Sequence, residues 1–215
     1  MELHWRQLLQ SIIEHIDLCG SALFFSLLIA LPLGILVSRS RLASGAVLAG
    51  FGMLYTVPSL ALLALLVPFL GLGAKSAVIV LVLYAQFILL RHIVLGLHNI
   101  SPYVAENAQA MGLSFMQRLF WVEIPLALPV WLSGVRIATL ALIGIATSAA
   151  LIHAGGLGVL IFEGISQINI AKIATGTVLI GLLSFFVEAI IKNFEEDATL
   201  RATGSMDRSP ANFYL

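Results

Sequence analysis

Charge is what this chain has least of. Only 10% of its 215 residues are Asp, Glu, Lys or Arg, while 60% are hydrophobic and the mean hydropathy is +1.05. Soluble domains carry about 25% charged residues, so an ordinary soluble domain is excluded and an integral membrane protein is indicated. The 11 basic residues are balanced by 11 acidic ones, which leaves no basic excess for a nucleic-acid partner. A single cysteine, Cys19, rules out an internal disulfide; with no Cys or His at ligand spacing, no metal site is expected either. The segment Gly155-Gly156-Leu157-Gly158 is glycine-rich but lacks the lysine of a nucleotide-binding GxxxxGK[ST] loop. No cofactor is therefore expected in this chain. Nor does any carboxylate pair or Ser/His/Asp grouping support a catalytic site. The first twenty residues lack the charged start, apolar middle and small-residue cleavage site of a removable leader.

What remains is long apolar runs. A helix needs about 20 apolar residues to cross the hydrocarbon, and lipid offers its backbone no other hydrogen-bond partner. Five segments qualify: 18–37, 45–70, 74–97, 126–152 and 170–191. Ahead of them, Trp5, Leu8, Leu9, Ile12, Ile13 and Ile16 recur at helical spacing opposite Glu2, Arg6, Gln7, Gln10, Glu14 and Asp17. That pattern predicts an amphipathic surface helix over 1–17. The expected fold is an all-α integral membrane protein with five transmembrane helices plus this N-terminal amphipathic helix, one membrane domain over 18–194, and a flexible tail over 195–215. Loop cations orient it. With the N-terminus outside, Arg39, Arg41, Arg118, Lys192, Arg201 and Arg208 fall inside, against Arg6, Lys75 and Lys172 outside. Arg91 and Arg136 lie toward inner helix ends, where long side chains can reach headgroups.

One stretch, 99–125, interrupts the apolar pattern on the cytoplasmic side of this topology. Ser101-Pro102 reads as a helix start, Gly112 as a left-handed stop, and Ser114 with Gln117 as a capping box opening a second helix. Two short helices joined at Gly112 are predicted, with Val104, Ala108, Met111, Leu113, Phe115, Met116, Leu119, Phe120 and Trp121 to be buried. They could pack back on the membrane face or meet a partner.

Glu106-Asn107-Ala108, three residues, Gly112, nine residues and Val122-Glu123-Ile124-Pro125 resemble the EAA loop of binding-protein-dependent ABC importer permeases, whose pattern is EAA, three residues, G, nine residues, I-x-L-P. Asn107 departs from the usual alanine. The stretches Leu54 to Leu63, Pro125 to Pro129, Gly134 to Thr139 and Ala149 to Gly158 are similar to the osmoprotectant branch, whose members carry glycine betaine, carnitine and choline; methionine importers share the fold. The resemblance implies a type I ABC importer transmembrane domain in the bacterial inner membrane. It also implies that the 99–125 loop couples the permease to separate ABC ATPase subunits binding ATP and Mg, through Glu106, Ala108, Gly112 and Pro125, with Glu106 and Gly112 holding the loop in shape. The implied partners are those subunits, a second permease copy or homologue, an extracytoplasmic solute-binding protein and membrane lipid.

Two further groups are candidates for the translocation path or its gate. Pro58 and Ser59 break the second apolar run near its middle, which suits either a path-lining break or a packing kink. Tyr55, Tyr84 and Phe87 could present ring faces to a quaternary ammonium, or simply pack. Gly155, Gly156 and Gly158 permit tight turns in an outer segment between the fourth and fifth spans; in the resembling family that region faces the path. Glu188 and Lys192 are spaced for an i,i+4 pair.

Overall fold

The structure, a computed structural model, describes residues 5–204, and every regular element among them is helical. The order is α1 (Trp5–Val37), α2 (Arg41–Thr56), α3 (Ser59–Leu70), α4 (Ala74–His98), α5 (Pro102–Ala110), α6 (Phe115–Arg118), α7 (Ile124–Ala146), α8 (Gly158–Ser166) and α9 (Ile170–Thr203). A wide π turn, Leu119–Glu123, joins α6 to α7, and a 3₁₀ turn, Thr147–Ile152, ends α7. Four helical segments are long and apolar enough to cross a membrane, or five if α2 and α3, bent by 94° at their junction, count as one broken crossing.

Helix α4 is the centre of the bundle. It packs against α1, α7, α2 and α3, and 56% of its most apolar stretch is buried, against 6% for α9. Lipid is as apolar as leucine, so packing rather than water expulsion holds such helices together, and small residues at the crossings allow close approach. Ala22, Ala30, Ala77, Ala127, Ala138 and Ala146 are all fully buried, interleaved with Leu89, Leu90, Ile93, Leu142 and Ile143. Large apolar side chains line the outside instead: Phe24, Leu28, Leu36, Leu65, Phe185 and Phe186 are each more than half exposed. This inside-out distribution is that of a bundle solvated by hydrocarbon.

Three elements differ from the sequence reading. The predicted surface helix is not separate: α1 runs unbroken from Trp5 to Val37, and its one proline, Pro32, lies well beyond residue 17. Its 33 residues span about 50 Å, well beyond the roughly 30 Å of hydrocarbon. The apolar stripe Trp5, Leu9, Ile13 and Ile16 is exposed, while Ser11 and His15 on the other side are buried against the bundle. Residues 1–4 of that prediction lie outside the described residues.

The second of the two short helices is not separate either. α6 continues through the π turn into α7, with Ile124 N–H bonded to the Leu119 carbonyl. The widened turn lets the helix pass Pro125, whose missing N–H would break a regular ladder.

At the C-terminal end, 195–203 is helix rather than tail. Glu195 is held by Arg136 at 2.9 Å, and Arg201 pairs with Asp197 at 2.7 Å. Gly204, left-handed, caps the helix, and residues 205–215 lie outside the described residues.

Candidate functional site

At one end of the bundle the 99–125 loop forms a compact bracket. Pro102 opens α5, although the Ser101 side chain makes no capping bond. Gly112 ends it with φ +83. Its N–H bonds the Gln109 carbonyl at 2.9 Å and Leu113 N–H bonds the Ala108 carbonyl at 3.2 Å. These are the paired bonds of a Schellman stop, which needs a residue that tolerates the left-handed region. The next residue but one starts the return: Ser114 N–H donates to Gln117 Oε1 at 2.8 Å, and Gln117 N–H to Ser114 Oγ at 3.4 Å. Of the three predicted boundary signals, the Gly112 stop and the Ser114–Gln117 box are made in full, while Ser101 contributes no side-chain cap.

The bracket is fastened by a group the sequence reading passed over. Glu123, 5% exposed, accepts from Arg39 Nη2 at 2.7 Å and lies 2.9 Å from Arg118 Nε. Arg39 belongs to the turn between α1 and α2, so this carboxylate ties the base of the loop to a distant part of the chain. Both guanidinium groups also lie over the Phe115 ring, at 4.9 and 5.8 Å, an attractive placement for a cation on an aromatic face. The available signal was one carboxylate embedded in the apolar run Trp121 to Leu128, which would be retained there only with cationic partners.

Of the four loop residues named from sequence, Ala108 is 2% exposed and packs inward. Gly112 forms the turn. Pro125 is exposed in the first turn of α7, and Glu106 is exposed with no hydrogen bond or ion pair among the described residues. Within the described residues the shape is held by Gly112, the capping box and Glu123. Val104 and Leu113 are half-buried and Leu119 is buried, but the other apolar residues expected to be covered are open: Met111 is 74% exposed, Trp121 68%, Met116 61%, Phe120 59% and Phe115 51%, joined by Tyr103 at 75%. So large a cluster of exposed aromatic and methionine side chains on a rigid bracket marks an interaction surface.

The break between α2 and α3 falls at Val57-Pro58. Tyr84 of α4 donates its hydroxyl to the Val57 carbonyl, satisfying a group the proline break frees from the helix. Tyr55 packs at a tilt against both neighbours, with ring centroids 5.6 Å from Tyr84 and 5.3 Å from Phe87, and keeps 37% of its surface exposed. The three aromatics singled out from sequence form one cluster beside the break, with Pro58 exposed and Ser59 half-buried as the first residue of α3.

At the opposite end of the bundle, α1 grips the glycine segment. Gly156 N–H donates to Glu14 Oε2 at 3.0 Å, and Leu157 N–H donates to His15 Nδ1 at 3.3 Å. His15 Nε2 lies 3.2 Å from the Ile143 carbonyl, so the imidazole is neutral, donating from Nε2 and accepting at Nδ1. Gly155 and Gly156 both have φ above +80, and a Cβ on Gly156 would stand 2.9 Å from His15 Nδ1. At Gly158 a Cβ would fall 2.0 Å from the Thr147 carbonyl oxygen. Close packing therefore requires all three glycines, and turn geometry requires Gly155 and Gly156 as well.

Two ion-pair readings need correction. Glu188 meets Arg136 at 3.5 Å rather than Lys192, which pairs with Glu196 at 3.8 Å. Arg136, expected to reach toward headgroups, bridges Glu188 and Glu195 and fastens α7 to α9. Among the described residues no three His, Cys, Asp or Glu side chains are grouped to hold a metal ion.

Comparison with known proteins follows the same outline. The chain is 35% identical over 187 residues to the osmoprotectant import permease protein OsmW of Salmonella typhimurium, covering 85% of this chain and 87% of that one. It is 32% identical over 193 residues to the glycine betaine/carnitine/choline transport system permease protein OpuCB of Bacillus subtilis, covering 90% and 89%. Its fold matches a structure of the MetNI methionine ABC transporter in an inward-facing conformation, with a TM-score of 0.80 over 88% of this chain and 95% of that one, at 24% identity. Residues 26–199 match the model of binding-protein-dependent transport system inner membrane components, and the chain belongs to that family of ABC transport permeases.

Proposed function

We propose that this permease carries quaternary-ammonium osmoprotectants, with glycine betaine, carnitine and choline as the substrate class, as half of a type I ABC importer. The observation that carries the coupling reading is the exposed apolar face of the 99–125 loop on a frame fixed by Gly112 and Glu123. A separate ABC ATPase covers that face and supplies the ATP and Mg chemistry; its closure moves the bracket, and Glu123 passes the motion to the α1–α2 turn through Arg39. The loop cations support five crossings, with α2 and α3 sharing one, that put the loop and the end of α9 in the cytoplasm. The start of α1, the glycine segment and α8 lie outside, where the first turns of α1 ride at headgroup level. There an extracytoplasmic solute-binding protein delivers solute to a path completed by a second permease copy or homologue and bordered by lipid. Substrate class is supported by the named functions of relatives that align along nearly the whole chain.

The test is uptake of radiolabelled glycine betaine by proteoliposomes holding the permease, its ATPase and its receptor. ATP-dependent accumulation that Met116→Asp with Phe120→Asp abolishes, while membrane insertion persists, is the expected result. Accumulation without the ATPase would overturn it.

A further inference from the structure

Helix α4 carries Tyr84, Phe87 and Arg91 at positions i, i+3 and i+7, which a helix places along one face. The stripe opens progressively: Tyr84 is buried beneath Tyr55, Phe87 is half-buried and Arg91 is exposed. Gly52 of α2 lets the backbone approach here, since a Cβ on it would lie 3.2 Å from the Phe87 ring. Arg91 makes no hydrogen bond, ion pair or ring contact among the described residues. Arg39, Arg118, Arg136 and Arg201 by contrast all have carboxylate partners. Arg91 stands seven residues before the end of α4 at His98, about 10 Å from that end of the helix. A guanidinium this far along an apolar helix either reaches toward the headgroups or faces a cavity, a path or a partner charge, and the aromatic cluster beside it points to the path.

We propose that Tyr55, Phe87 and Arg91 form a transit site in the permease for zwitterionic solutes, with the quaternary ammonium against the exposed parts of the Tyr55 and Phe87 rings and the solute carboxylate on Arg91. Aromatic faces attract a cation that cannot donate hydrogen bonds, and a guanidinium offers paired donors matched to a carboxylate. Phe87 and Arg91 are one turn apart, about 6 Å along the axis, so a short betaine reaches both. Choline has the same ammonium and no carboxylate, so it gains the rings alone. The site therefore ranks carboxylate-bearing osmolytes above choline within the substrate class. This inference rests on the quaternary-ammonium reading above.

The experiment uses the complete transporter with its ATPase and receptor in proteoliposomes, reading uptake of glycine betaine and choline alongside receptor-stimulated ATP hydrolysis. Arg91→Gln is expected to lower betaine uptake about tenfold, the scale of one charge-assisted bond, with ATP hydrolysis and choline uptake changed less than about twofold. Tyr55→Leu with Phe87→Leu is expected to lower uptake of both solutes, about threefold or more. If the wild type does not carry choline, a fall in betaine uptake without a fall in hydrolysis supports the site. Equal losses of betaine uptake, choline uptake and hydrolysis in Arg91→Gln would overturn it, because they would make Arg91 a structural or headgroup anchor. Unchanged betaine uptake would overturn it as well. A wild-type complex that moves neither solute overturns the substrate class along with the site.

Discussion

Glu123 and Arg39 stand 84 residues apart in the chain, and their side chains meet at 2.7 Å. The contact joins the base of the 99–125 bracket to the turn that leads from α1 into α2, which is the link the proposed coupling uses. Removing the carboxylate leaves Arg39 without its acceptor and Arg118 without its counter-charge. The Glu123 side chain is 7% exposed but Arg39 is 37% exposed, and water screens part of the pair. The expected cost of Glu123→Ala is about 1–3 kcal/mol, visible as a lower midpoint in thermal unfolding of the detergent-solubilised permease. In the reconstituted complex, ATP hydrolysis should continue while uptake falls. A double-mutant cycle with Arg39→Ala checks the assignment: additive effects would show that the two side chains do not act together.

Gly112 supports a sharper test, because its surroundings and its backbone make opposite demands. A Cβ there would meet nothing within 4 Å, yet φ is +83. Strain is therefore the whole effect, about 1–2 kcal/mol for alanine or valine. Asparagine, which visits the left-handed region more readily, should keep most of the uptake rate. The expected order of uptake is glycine, asparagine, alanine, valine, with membrane insertion equal in all four. Equal uptake by Gly112→Asn and Gly112→Val would argue against a backbone origin.

Local chemistry was readable in the residues, and tertiary pairing was not. The Gly112 stop, the Ser114–Gln117 box and the Pro58 break each depend on a few neighbouring residues, so spacing alone located them. Glu123, Glu14 and Glu188 find partners on remote elements; the i,i+4 spacing of Glu188 and Lys192 suggested a nearer pairing that α7 displaces. The surface helix was misplaced for a different reason. A helical apolar stripe reads the same whether the polar side opposite it meets water or another part of the protein, and in α1 part of that side, Glu14 and His15, is bonded to the glycine segment. Gly155 and Gly156 gave no hint of that contact, since a turn alone would account for them.

That contact predicts a defect at the end of the bundle opposite the bracket. Gly156→Ala adds a Cβ 2.9 Å from His15 Nδ1 on a backbone with φ +83, so both the turn and the α1 grip are strained. Glu14→Gln keeps an acceptor oxygen for Gly156 N–H, whereas Glu14→Ala removes it. Hydrogen exchange at Gly156 and Leu157 should speed up in Gly156→Ala and Glu14→Ala and stay near the parent rate in Glu14→Gln. Identical exchange in all of them would mean that the segment is held by its own turns.

Sidedness can be settled by thiol labelling, and the chain is well suited to it. Its single cysteine, Cys19, is 6% exposed and should stay silent toward a bulky membrane-impermeant maleimide. Gln109 and Gln117 are both exposed on the bracket, while Gln167 lies in the turn after α8 at the opposite end. In intact cells Gln167→Cys should label and Gln109→Cys and Gln117→Cys should not; in inside-out vesicles the pattern should reverse. Added ATPase should then shield the two bracket positions, because the same surface that exposes Met116 and Phe120 is the one it would cover. Labelling of Gln109→Cys from outside would put the bracket beyond reach of any cytoplasmic motor, and the coupling mechanism would fail with it.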